Sequence, residues 1–177
     1  MENWSCTKTA TENINISNFP FIRMNKNWMD IARRIQSIAQ SGMTYCENEF
    51  DLERYRELKE IAKSIISEHT NTDFDRVAGF LDMETGYLTP KVDIRVVVFQ
   101  DEKILMVKEK IDGKWSLPGG WADVGLSPFE IAEKEVQEEA GVIVKAERLL
   151  AVYDKNKHNH PPDYHHIYKL FTHPLRL

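Results

Sequence analysis

Apolar residues recur three and four positions apart at Trp28, Ile31, Ala32, Ile35, Ile38 and Ala39, which predicts a single apolar helix face between Met24 and Gly42. Gly42 is read as the stop of that helix. A second stripe, formed by Leu52, Tyr55, Leu58, Ile61, Ala62, Ile65 and Ile66, predicts a helix from Asp51, taken as its N-cap, to about Ser67. A shorter third element is expected around Phe74 to Leu81. The period then changes. Val92 to Phe99 is β-branched and apolar enough for a buried strand, Asp101-Glu102 forms a turn, and Ile104 to Val107 returns as the antiparallel partner. Ser127 and Pro128 open a helix to Ala140, with Ser127 as N-cap, Pro128 at the first helical position and Glu130 completing a capping box. Gly141 stops it. Further strands are expected at Val142–Val144, Arg148–Tyr153 and His166–Phe171.

This order, helices first and then strands around one helix, divides the chain into three parts. Residues 1–23 are polar and aperiodic and are expected to be a disordered extension. Residues 24–88 form a helical domain and residues 89–177 an α/β domain. The N-terminal helices are too short to bury their stripes alone, so they are expected to pack on each other, on the rest of the chain or on a second copy. No internal repeat or low-complexity tract interrupts the pattern.

Composition narrows the function. Of 177 residues, 42% are apolar and 29% charged, the balance of a globular protein rather than a disordered tail. A net charge of −5 argues against a general nucleic-acid binder. Acidic residues slightly outnumber basic ones between Met24 and Thr70, so the helical pair does not read as a helix-turn-helix facing phosphates. No apolar run is long enough to span a membrane, and the first twenty residues lack the apolar core of a secretory signal. Cys6 and Cys46 have no metal-type spacing and read as free thiols, which makes the cytoplasm the expected location.

The candidate chemistry lies in Lys134-Glu135-Val136-Gln137-Glu138-Glu139-Ala140-Gly141. On a helix Glu135, Glu138 and Glu139 stand at i, i+3 and i+4, which puts three carboxylates on one face. Stacked like charges repel, so a structural helix gains nothing from them, whereas hard cations reverse the balance. A bare run of this kind is more often a solvated acidic face. Here it follows, one helix later, Gly119-Gly120, whose backbone groups can approach metal and phosphate without a Cβ in the way. Trp121, beside the glycines, suits stacking on a nucleobase or packing under the loop.

The stretch from Gly119 to Val142 resembles the Nudix box, a glycine followed after a loop by R-E-φ-x-E-E-x-G-φ, where φ is apolar. Gly120 matches the leading glycine, and Glu135, Val136, Glu138, Glu139, Gly141 and Val142 match at the expected spacing. Leu126 stands where a glutamate is usual, with Asp123 a possible substitute, and Lys134 stands where an arginine is usual. Lysine keeps the charge but loses the planar fork. The longer string Leu117 to Pro128, behind a helical pair, resembles a Nudix subfamily with an N-terminal helical domain.

That resemblance implies a Nudix α/β/α sandwich with a mixed sheet, preceded by a small helical domain. It implies metal-dependent hydrolysis of nucleoside diphosphates linked to another moiety X, of the CDP-choline or ADP-ribose type. The implied catalytic residues are Lys134, Glu135, Glu138 and Glu139, and the implied substrate contacts are Gly119, Gly120, Trp121 and Asp123. Mg2+ or Mn2+ would be held by Glu135, Glu138, Glu139 and the Gly120 carbonyl. The implied partners are a small nucleotide substrate and a second copy, forming a homodimer through the N-terminal helices. Alternative readings are a catalytically impaired Nudix-fold nucleotide sensor and an RNA-end hydrolase.

Two further features bear on the site. His158, His160, His165 and His166 surround Pro161-Pro162-Asp163 but match no zinc spacing, so they read as exposed or substrate-facing histidines. The strand pattern is expected to end at Phe171, which makes the α/β domain look shortened and predicts an exposed sheet edge.

Overall fold

The computed structural model describes residues 27–158 and 163–176. The expected extension at 1–23 and His160 lie outside the described residues. Helix α1 spans Trp28–Tyr45, capped by Asn27, whose side chain accepts the Met29 N–H at 3.1 Å. Helix α2 spans Glu49–Thr70, and α3 spans Phe74–Asp82. Only three residues separate α1 from α2, so the two return on each other as a helical hairpin.

Both expected boundaries of this hairpin need correction. Gly42 does not end α1, which runs on to Tyr45. A Cβ on Gly42 would lie 2.4 Å from the Tyr55 ring of α2, so the glycine serves helix–helix approach. Asp51 is not the N-cap of α2. Asn48 takes that place, accepting the N–H groups of Phe50 and Asp51, while the Asp51 carboxylate pairs with Arg54 at 2.6 Å.

Ala32, Ile66, Val77 and Leu81 form the buried centre of the three helices. Lys63 is 4% exposed, yet it bonds Glu60 at 2.6 Å and Asp82 at 2.8 Å, with Lys59 on the second Asp82 oxygen. Burial works against the Lys63 ammonium, but Asp82 and Glu60 outweigh it and hold its pKa above the ordinary lysine value. The same two lysines hold the Asp82 carboxyl below the usual carboxylate range against its own burial. This cluster pins α3 to α2.

Strand β1 (Lys91–Val96) pairs in parallel with β7 (Ile167–Arg176), and β7 pairs antiparallel with β6 (Lys145–Asp154). The mixed sheet order is β1-β7-β6. Two small hairpins lie between β1 and the last helix. β2 (Phe99–Gln100) pairs β3 (Lys103–Ile104), and β4 (Val107–Lys108) pairs β5 (Trp115–Ser116). The first closes through Asp101 and Glu102 at φ 50 and 61°, the expected two-residue turn.

Helix α4 (Pro128–Ala140) starts as predicted: Ser127 and Glu130 form both bonds of the capping box, and Gly141 ends the helix at φ 68°. Its apolar face, Ile131, Ala132 and Val136, packs on Ile94, Val96 and Val98 with Val144 and Ala146.

Two strand expectations are corrected here. Val142–Val144 is not a strand: it crosses from α4 to the sheet, and Val144 is apolar because it plugs the core, 5% exposed. The strand expected to end at Phe171 continues to Arg176, with Pro174 tolerated because it stands opposite Ala146 at a register shift. Because the capping box fixes where α4 begins, Ser127→Ala is expected to lower unfolding stability by about 1 kcal/mol, read as a shifted denaturant midpoint at unchanged slope.

Candidate active site

The site begins with a close approach of two backbones. Gly119, at φ 139°, lies so near β1 that a Cβ would be 2.0 Å from the Ile94 carbonyl oxygen. The segment around it pairs with the free side of β1. Val96 N–H donates to Pro118 O at 2.9 Å, Ile94 N–H to Gly120 O at 2.8 Å, and Ala122 N–H to Val92 O at 2.9 Å. Only glycine fits this register at 119.

That pairing brings the loop under the acidic face of α4. Gly119 N–H donates to Glu139 Oε2 at 2.9 Å. A Cβ on Gly120 would lie 3.1 Å from the Glu135 carboxylate, which would have to give by a few tenths of an ångström, so the glycine lets that carboxylate sit close against the loop. Glu135 is half-buried, whereas Glu138 and Glu139 are exposed. Burial, followed by repulsion from Glu139 and Glu138, holds the Glu135 carboxyl above its ordinary pKa. The last turn of α4 contains no basic residue, so Glu138 and Glu139 also face the negative end of the helix dipole.

The expected site residues fall into two groups. Gly119, Gly120, Glu135 and Glu139 meet directly, and Glu138 shares their helix face. Lys134 and Asp123 meet each other at 2.6 Å at the edge of that face. Lys134 therefore pairs with the loop aspartate instead of orienting a neighbouring glutamate. Leu126 is exposed and supplies no ligand. Trp121 is 52% exposed, forms a backbone bridge to Asp93, and turns its ring edge toward His165 at 6.2 Å.

Sequence reasoning missed Asp93 and Arg95, which it took as part of an apolar strand. Arg95 grips both Asp93 oxygens at 2.8 and 2.9 Å and donates to Leu117 O at 3.1 Å, bracing the strand that carries the loop. Burial opposes the guanidinium charge, but Asp93, then Glu109 and Glu139, raise its pKa above the ordinary value. The signal was present: opposite charges two apart in a strand share one face. Among the histidines, His158 stacks on Tyr153, His165 faces Asp163 at 3.6 Å, and His166 pairs with Asp154 at 3.2 Å.

Among the described residues, no three His, Cys, Asp or Glu side chains come close enough together to hold a metal ion between them. The carboxylates of α4 form an open face. Its all-oxygen donors and mutual repulsion fit a hard dication that retains waters or phosphate oxygens as further ligands.

Two family profiles cover the chain. Residues 26–81 match a UDP-X-like N-terminal oligomerisation domain, and residues 89–175 match the NUDIX domain. YjhB of Bacillus subtilis (strain 168), provisionally named an ADP-ribose pyrophosphatase, is 42% identical over 150 residues, covering 85% of this chain and 72% of that protein. The chain belongs to the Nudix family.

As a Nudix protein it is a pyrophosphohydrolase, built from N-terminal helices followed by a Nudix sheet. An ADP-ribose pyrophosphatase of Methanocaldococcus jannaschii is 39% identical over 70 residues, 38% of this chain and 41% of that protein. A crystal structure of a UDP-X diphosphatase covers 84% of this chain and 73% of its own at 33% identity, with a TM-score of 0.44. No helix among the described residues is long and apolar enough to cross a membrane.

The raised Glu135 pKa has a direct consequence for this Nudix hydrolase. The folded state binds more protons than the unfolded chain between the ordinary carboxylate pKa and the raised one, so stability falls as pH rises through that window. Above it the penalty is complete. Glu135→Gln removes it and is expected to stabilise the metal-free protein at neutral pH by roughly 0.5 kcal/mol, the scale of a like-charge helix pair. Melting curves in a chelator check this, and a lowered midpoint would contradict it.

Proposed function

We propose that this Nudix hydrolase cleaves the diphosphate linkage of a nucleoside diphosphate joined to another group X, with Mg2+ or Mn2+ as cofactor. ADP-ribose is the first candidate substrate and CDP-choline the second. The observation that carries the reading is the joining of the glycine loop to the acidic helix face, through the bond from Gly119 N–H to Glu139 and the seat of Glu135 against Gly120. ADP-ribose leads because the names of the Bacillus and Methanocaldococcus relatives carry it.

Glu135, Glu138, Glu139 and the second lone pair of the Gly120 carbonyl would hold the metal, which neutralises the diphosphate and lowers the pKa of an attacking water. The chain's own task is positioning. Gly119 fixes the Glu139 carboxylate in place, so its orientation costs little when substrate arrives. Glu138 is exposed and free of any ion pair among the described residues, and Glu138 or Glu139 accepts the proton of the attacking water. Trp121, half-exposed beside Gly120, offers a face to the substrate. Lys134 and Asp123 bound the site at its solvent edge.

The helical part, residues 24–88 in this reading, mediates a homodimer. Ile38, Tyr45, Phe50 and Ile61 of α1 and α2 are exposed at 44, 72, 73 and 42%, an apolar surface that a second copy would cover. The proposal also places the protein in the cytoplasm, consistent with Cys46 being a free thiol.

Turnover of ADP-ribose, CDP-choline, a dinucleoside polyphosphate and a capped RNA, with and without magnesium, tests the reading. Magnesium-dependent release of mononucleotide from ADP-ribose is expected. Glu139→Gln should lower that turnover at least about a hundredfold, the scale for a direct ligand of the catalytic ion. Silence across the panel from folded protein would replace the hydrolase with a nucleotide sensor. Light scattering is expected to give twice the mass of one chain, and a monomer would remove the proposed interface.

A further inference from the structure

Asp93 of β1 stands opposite Lys169 of β7, and Tyr153 of β6 stands opposite Lys169 on its other side. Partners in register share a face, so the three side chains lie on the side of the sheet away from α4, as does Arg95 two residues after Asp93. The charges on this face do not cancel. Arg95 occupies both Asp93 oxygens at 2.8 and 2.9 Å, and Lys155 holds Asp163 at 2.7 Å. Lys169 is left with Asp93 at 4.0 Å, beyond hydrogen-bond reach of a carboxylate already taken. Three cations thus face two carboxylates in a chain whose net charge is −5.

The fold gains little from that third cation. Burial, with Asp93 opposing it and Arg95 and Lys155 adding to it, pulls the Lys169 pKa below the ordinary lysine value. A fold that needed only a partner for Asp93 already has one in Arg95. The Lys169 side chain is nevertheless 19% exposed, so a solute can reach it.

The row that contains Lys169 leads to the glycine loop. Trp121, next after Gly120, bridges to Asp93 on the free side of β1, so Trp121, Asp93 and Lys169 stand side by side across the sheet. Two strand spacings, about 10 Å, separate the backbones of Trp121 and Lys169. Glu139 in turn lies near enough to Arg95 for its charge to be felt there. The acidic face of α4 meets the loop at Gly119 and Gly120, and the uncommitted lysine stands beyond Trp121.

We propose that Lys169 binds the substrate's diphosphate directly, its ammonium donating to an oxygen of the phosphate farther from the acidic face of α4. The assignment rests on the diphosphate substrate proposed above and adds a ligand from β7 to a site otherwise built on the loop and α4. A phosphate oxygen gives Lys169 the close partner that Arg95 denies it, and lysine suits this contact as a compact charge with three donors.

Calorimetric titration in magnesium with α,β-methylene-ADP, whose diphosphate bridge resists hydrolysis, and with AMP tests this. Wild type is expected to bind the diphosphate analogue more tightly than AMP. Lys169→Gln should cut that ratio about tenfold or more by weakening the analogue and not AMP, the effect of losing one hydrogen bond from a charged group. Lys169→Met, which keeps an aliphatic stem beside Tyr153, should do the same and covers the case in which the first variant does not fold. A ratio unchanged in the folded variants overturns the proposal, and so does an analogue that folded wild type does not bind.

Melting curves without nucleotide separate this role from a structural one. Lys169→Met is expected to melt at or above the wild-type temperature, because it removes a charge that burial disfavours. A lower midpoint together with an unchanged ratio would leave Lys169 serving Asp93 alone and overturn the proposal. Binding needs no turnover, so the two readings fail separately. Should wild type hydrolyse none of the substrates yet bind the analogue through Lys169, the ligand stands and the hydrolase does not. Turnover with a ratio indifferent to Lys169 gives the reverse.

Discussion

The close passage of Gly119 against the Ile94 carbonyl is the constraint on which the site depends. Because no Cβ intervenes, residues 118–122 lie along the free side of β1 and close three backbone bonds with it. β1 is thereby held on one side by β7 and on the other by the loop. The loop cannot rise without breaking those bonds, and the carboxylates of α4 find Gly119 and Gly120 at a fixed place. Asp93 and Arg95 brace the same strand from its polar face, while Ile94 and Val96 root it in the core.

Electrostatics then divide the molecule into a satisfied part and an unsatisfied part. Lys63 and Asp82 are buried or half-enclosed but answer each other. Arg95 is committed to Asp93, and Lys134 to Asp123. Against Glu135, Glu138 and Glu139 the described residues set no dedicated cation. A helix that opens with a full capping box and closes on repelling carboxylates at its negative pole is stable at one end and strained at the other.

The two halves of the chain meet through residues that belong to neither periodic pattern. Tyr164, from the connection between β6 and β7, packs against the helical core and bonds Gln36 of α1. Arg33 of α1 reaches His165 O in the same connection. The helical part thus packs against the connection between β6 and β7, close to the glycine loop.

Much of this was legible along the chain. The 3.6-residue stripes located α1 and α2, the capping box and Gly141 set the limits of α4, and Asp101-Glu102 marked a hairpin, because each depends on neighbours in sequence. The order of glycines and glutamates from Gly119 to Gly141 picked out, for the same reason, the loop and helix face that the fold brings together. Tertiary structure decided the rest. Gly42 became a contact surface for Tyr55 because a helix 13 residues away in sequence packs on it. Val142–Val144 left the sheet because Val144 was drawn into the core, and β7 ran past Phe171 because β6 offered partners as far as Lys145. Lys134 chose Asp123, Arg95 chose Asp93 and Leu117, and Gln36 met Tyr164 across the chain. Such choices depend on which groups the fold brings within reach, and no local spacing encodes a distance between residues far apart in sequence.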